Sequence, residues 1–203
     1  MRASDEILSH HLAQALRPFG MDAPPGSGPE RRVRLIFSVH RLRNRIDFNF
    51  ILSGRVAADL AKIVIPDVLG SGDRRRRDEL WKSTCLEVFI GRADRSSYLE
   101  LNLSPSGDWN LYAFEKYRAG MRAATLPMPP LTRVERAVSG DMIAWHGSLS
   151  GGAELDELLV SPGLVMNATA VLEYRSGEQE YWALAHAGEK PDFHHRESFR
   201  LSL

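Results

Sequence analysis

Between residues 33 and 52 the side chains alternate with a period of two. Val33, Leu35, Phe37 and Val39 fall on one side and Arg34, Ile36, Ser38 and His40 on the other. After Arg43-Asn44-Arg45, the apolar series Ile46, Phe48, Phe50 and Leu52 alternates with Asp47 and Asn49. Successive strand side chains point to opposite faces, so these two runs predict a hairpin with one buried face. Further strands are predicted over 85–90, 98–103, 109–114, 133–138, 142–148, 165–174, 179–186 and 198–203, with turns at Pro105-Ser-Gly107, Ser139-Gly140-Asp141 and Ser176-Gly177. Residues 62–65 are a short apolar run stopped by Pro66, and 70–79 form a charged loop.

Helical spacing is confined to two places. Ile7, Leu8, Leu12, Ala15 and Leu16 share a side over 5–19, ended by Pro18 and Gly20, and 154–159 suits a short helical insert. Roughly ten strands with frequent turn signals predict an all-β chain, an antiparallel β-sandwich with short helical additions. Residues 1–30 are expected to be an N-terminal helix or extended arm followed by a flexible linker at 22–30, and 31–203 the sandwich.

Strand parity separates a core face from a candidate binding face. Leu99, Leu101 and Leu103 share one face, and Tyr98, Glu100 and Asn102 the other. In 85–90, Leu86, Val88 and Ile90 look inward, leaving Cys85, Glu87 and Phe89 together. Trp109, Leu111 and Ala113 alternate with Asn110, Tyr112 and Phe114; Trp182, Leu184 and His186 share a parity. Aromatic rings beside carboxylates and amides suit a polyol or sugar, because rings stack on C–H faces while the polar groups bond to hydroxyls.

Composition narrows the classes. The 203 residues carry 26 basic and 26 acidic side chains, a formal net charge of zero. That balance gives no general footprint for nucleic acid. No apolar run reaches the roughly 18 residues that span a bilayer. One cysteine, Cys85, excludes an intrachain disulfide and, opening an apolar strand, is expected to be packing rather than a nucleophile. The start lacks the basic-then-apolar pattern of an export signal, so a cytoplasmic location is expected. Arg74 to Arg77 form a basic run flanked by acids, expected to be a solvated loop, with an anionic ligand as the alternative. His186, Asp192, His194 and His195 lack helix-borne metal-site spacing and are expected to bond within a loop.

Three blocks carry a resemblance. They are 80–89 with Trp81, Cys85 and Glu87; 98–121, from Tyr98-Leu-Glu100-Leu-Asn102 through Trp109 and Tyr112 to Arg118 and Met121; and Tyr181-Trp182-Ala-Leu184-Ala-His186 followed by Pro191-Asp192-Phe193-His194. Together they resemble bacterial DOMON-like proteins, a group placed with the haem- and sugar-recognising DOMON sandwiches and similar to the ninth family of carbohydrate-binding modules. The resemblance implies an immunoglobulin-like or jelly-roll-like sandwich, not an enzyme, that binds a small ligand such as a sugar on one sheet. Trp81 and Trp109 would supply stacking rings and Glu87, Glu100 and Asn102 polar contacts, with His186 and the loop 191–194 closing one end. No cofactor or metal is required. Haem stays open, with Met121, Met142, Met166, His186 and His194 as candidate ligands. Rival readings are a haem or apolar-ligand carrier, a protein-interaction module, and a glycoside hydrolase using Glu87 and Glu100.

Overall fold

The alternating runs at 33–52 form the long hairpin they predict, and two sheets are built outward from it. The structure, a computed structural model, describes residues 10–20 and 32–203. The strands are β1 (His10–Ala15), β2 (Arg17–Pro18), β3 (Val33–Leu42), β4 (Arg45–Gly54), β5 (Cys85–Arg92), β6 (Tyr98–Leu103), β7 (Trp109–Phe114), β8 (Arg122–Ala123), β9 (Leu131–Arg136), β10 (Met142–Ser150), β11 (Leu164–Glu173), β12 (Gln179–Ala183) and β13 (Leu201–Ser202). Helix α1 (Ala57–Leu60) follows β4, and α2 (Ala153–Val160) lies between β10 and β11. One sheet runs β1-β3-β4-β10-β9; the other runs β2-β12-β11-β5-β6-β7-β8, with β13 also paired to β11. The named strand pairings are antiparallel, which makes the protein an all-β sandwich.

The core lies between the sheets. Leu35, Phe37 and Val39 of β3 and Phe48, Phe50 and Leu52 of β4 meet Leu86, Val88 and Ile90 of β5 and the leucines of β6. Trp145 of β10 is enclosed there, its indole N–H donating to the Pro105 carbonyl at 3.2 Å.

The helix expected over 5–19 is absent from its described part. Residues 10–15 pair with β3, and 17–18 pair with β12 in the opposite sheet. The chain changes sheets at Leu16, which is buried and whose N–H donates to Leu35. Pairing along two sheet edges satisfies more of this backbone than one short helix would. Residues 1–9 and the expected linker at 22–30 lie outside the described residues. The apolar run 62–65 is not a strand: Ile63 makes one isolated bridge to Tyr174. The strand expected over 179–186 ends at Ala183, and that expected over 198–203 shrinks to β13, its first residue, Ser198, closing a 3-10 turn (Arg196–Ser198).

The arginine run is solvated as expected, with Arg75, Arg76 and Arg77 exposed, but it is also tied down as a strap. Arg74 donates to the Leu131 carbonyl and Arg76 to that of Ala124. Arg76 also lies 4.6 Å over the Trp109 ring, and Arg77 pairs with Asp108 at 2.7 Å.

Candidate functional site

The outer face of the larger sheet carries the chemistry. Register aligns Tyr181 with Val171 and Cys85, then Thr169 with Glu87, Asn102 and Asn110, then Asn167 with Phe89, Glu100 and Tyr112. These residues occupy the sheet face opposite the core. The C-terminal segment covers one end of it. Phe193, His194 and Phe199 lie on an aromatic layer of Phe89, Tyr98 and Phe114, with Tyr98 and Phe114 stacked at 4.8 Å. The uncovered part is a cleft of about 830 Å³.

Glu87 and Glu100 form its floor, on adjacent strands. The Thr169 hydroxyl donates to Glu87 Oε2 at 2.8 Å, and the Asn102 amide donates to Glu100 Oε1 at 2.7 Å. Glu100 Oε2 is enclosed and has no hydrogen-bond partner. Burial raises the affinity of both carboxyls for protons, and the Glu100 charge raises that of Glu87 further. Trp81 stands on one side, on a 3-10 turn (Leu80–Lys82) entered through left-handed Glu79, with its ring edge-on to Tyr112 at 6.1 Å. Tyr181 and Phe193, 6.1 Å apart, stand on the other. Phe114, Val171 and Met121 complete the apolar lining.

His194 joins the lid to the floor. Its Nδ1 lies 2.7 Å from the Tyr98 hydroxyl oxygen, which accepts the Arg118 backbone N–H at 3.3 Å. We assign the Tyr98 O–H as the donor to Nδ1, which leaves the ring N–H on Nε2, facing Glu100 Oε2 at 3.8 Å. Burial, with Arg118 nearby, pushes the His194 pKa down to about 4, so the ring is neutral at pH 7. Asp192 fastens the lid: it accepts from Tyr117 at 2.6 Å and from Arg118 at 2.9 Å. Burial opposes its charge, yet these bonds hold its carboxyl below the usual aspartate range. Asp192→Ala is expected to cost about 1 kcal/mol at neutral pH. A depressed acid stabilises above its unfolded pKa, so thermal melts should show this difference vanishing as pH falls below 3.8, the ordinary aspartate value, and through the folded one.

Of the six residues singled out by sequence, Trp81, Glu87 and Glu100 line the cleft, and Asn102 lies beneath it holding Glu100. Trp109 does not reach this face. It pairs with Leu103 and sits in the inter-sheet core, because its parity is that of Leu111. His186 lies outside the lining: its Nε2 is 2.8 Å from the Arg17 carbonyl oxygen, and its ring packs against Phe19. Sequence reasoning missed Tyr181, Phe114 and Arg118 as lining residues. No local signal placed them: register sets Phe114 beside Tyr98 on the Glu100 face and Tyr181 opposite Val171.

Haem fits this cleft poorly. Among the candidate ligands only Met121 and His194 line it, and both His194 nitrogens face protein groups. Met166 is enclosed in the core and Met142 belongs to the other sheet. Among the described residues no three His, Cys, Asp or Glu side chains gather as a metal site.

Fold and cleft together define a β-sandwich with a ligand-sized recess on one sheet, its floor acidic and its walls aromatic. No protein-family model matches the sequence, and no curated protein matches it. Among solved structures, it is similar to a "putative carbohydrate-binding protein" from Bacteroides uniformis ATCC 8492. The two are 12% identical over 93% of this chain and 84% of that one, with a TM-score of 0.55. A family 9 carbohydrate-binding module from Caldicellulosiruptor kristjanssonii, in complex with glucose, is 11% identical over 77% of this chain and 69% of that one, with a TM-score of 0.36. The first likeness shows a shared sandwich fold; the second is too distant to carry an argument.

Proposed function

We propose that the protein is a non-catalytic module that binds a small carbohydrate in this cleft. One observation carries the reading: two carboxyls on the floor lie between Trp81 on one side and Tyr181 with Phe193 on the other. A sugar ring is apolar on its C–H faces and polar around its edge. Aromatic walls match the faces and carboxyl oxygens match the hydroxyls. The blocks that resemble DOMON-like proteins supply these same residues, and the fold shared with the Bacteroides protein is compatible with the reading.

Calorimetric titration with a panel of mono- and disaccharides tests it. Trp81→Ala is expected to weaken the binding sugar about tenfold or more, since lost stacking removes about 1 kcal/mol beyond lost contact area. His186→Ala, outside the lining, should leave affinity in place. Absence of binding across the panel, or unchanged affinity in Trp81→Ala, overturns the proposal.

A further inference from the structure

The floor of the cleft has acids but no cation of its own. Arg118 is engaged by Asp192 at 2.9 Å, and Lys82 by Glu79 at 2.7 Å. His194, the remaining basic side chain in the lining, is neutral at pH 7. Glu87 and Glu100 receive only neutral donors, one hydroxyl and one amide. Glu100 is 6% exposed, lines the cleft, and keeps Oε2 unpartnered. Two buried acids are costly to ionise, and the one cation whose charge favours both, Arg118, is half-exposed and shared with Asp192.

The walls point the same way. Trp81, Tyr181 and Phe193 present aromatic rings, and ring faces attract cations. A hydroxyl gives a carboxylate one hydrogen bond and no charge. An ammonium gives three donors and a full positive charge, and it can lie between two acids on neighbouring strands.

We infer that the cleft selects a sugar carrying a free, unacetylated amine, seated as its ammonium between Glu87 and Glu100. This rests on the carbohydrate reading above and names the class of sugar. The ammonium replaces a proton in charge balance: as it enters, the carboxyl pair ionises and its proton passes to solvent. Glucose, lacking the charge, leaves the protons in place.

The test is calorimetry with glucosamine, glucose and N-acetylglucosamine at slightly acidic pH, in buffers of different ionisation enthalpy. Glucosamine should bind about tenfold or more tightly than the other two, with net proton release seen for it alone. Glu100→Gln should erase that preference and the release, while Trp81→Ala weakens glucosamine and any residual glucose binding alike. Equal affinity for glucose and glucosamine, with no proton release, overturns the amine inference and leaves the carbohydrate reading standing. Failure of all three sugars and of the wider panel overturns both. Choline binding more tightly than glucosamine overturns the assignment to a sugar amine.

Discussion

Gly147→Ala lowers the stability of the protein by about 3 kcal/mol, which for a chain of this size is a fall of roughly 6–12 °C in Tm. Gly147 faces Phe48 across the β4–β10 pair, where the register of β10 shifts against β9. A Cβ added there would lie 2.1 Å from Phe48 Cζ and within 2.6 Å of two further ring carbons. The ring is fully buried and set edge-on to Phe50, so it has nowhere to retreat without disturbing the core. The cost is therefore steric: one methyl drives an aromatic ring out of its place. The double variant Gly147→Ala with Phe48→Leu should lose less than the sum of the two single losses, because the smaller side chain vacates the space. Chemical denaturation with an unchanged slope would register the loss as stability alone. A Tm within about 2 °C of the parent would show that the Phe48 ring yields freely.

What was legible in the sequence follows from which signals are local. Strand parity is local, and it placed the leucines of β6 in the core and Glu87 and Glu100 on a common outer face. The N-terminal segment misled because Leu12 and Leu16 are four residues apart. That spacing satisfies a helix and a strand equally, and only pairing with β3 decides between them. Trp109 shows the next limit. Its parity with Leu111 is visible in sequence, but which parity of β7 joins the Glu100 face depends on the length of the turn after β6. Register pairs Asn102 with Asn110 and Leu103 with Trp109, so the tryptophan goes to the core and Asn110, Tyr112 and Phe114 go to the outer face. The lid was legible as a motif, Pro191 to His194, but not as a contact. Its position is fixed by Asp192 reaching Tyr117 and Arg118, more than 70 residues away in sequence. The arginine strap was illegible for the same reason: its partners are carbonyls of distant segments.

Glu87→Gln makes the protein more stable above neutral pH while weakening the proposed ligand. Burial, and then the charge of Glu100, raises the Glu87 pKa, and Glu100 is raised by its own burial. A raised acid contributes stability that is full below its unfolded pKa and is lost as pH rises through the folded value. The Tm of the parent should therefore fall as pH climbs from 4.5, the ordinary glutamate value, through neutrality into mild alkali. Glutamine keeps an oxygen to accept the Thr169 hydroxyl and removes one of the two charges that must be buried. The curve for Glu87→Gln should be flatter, meeting the parent in acid and exceeding it by about 2 kcal/mol, on the order of 4–8 °C, at mildly alkaline pH. Parallel Tm–pH curves for the two proteins would show that the floor acids carry no burial penalty. The gain has a functional cost. If the inferred ammonium sits between the acids, it offsets the penalty that glutamine removes, and the stabilised variant gives up that partner. That opposition is expected of a site whose charges are kept for a ligand and not for the fold.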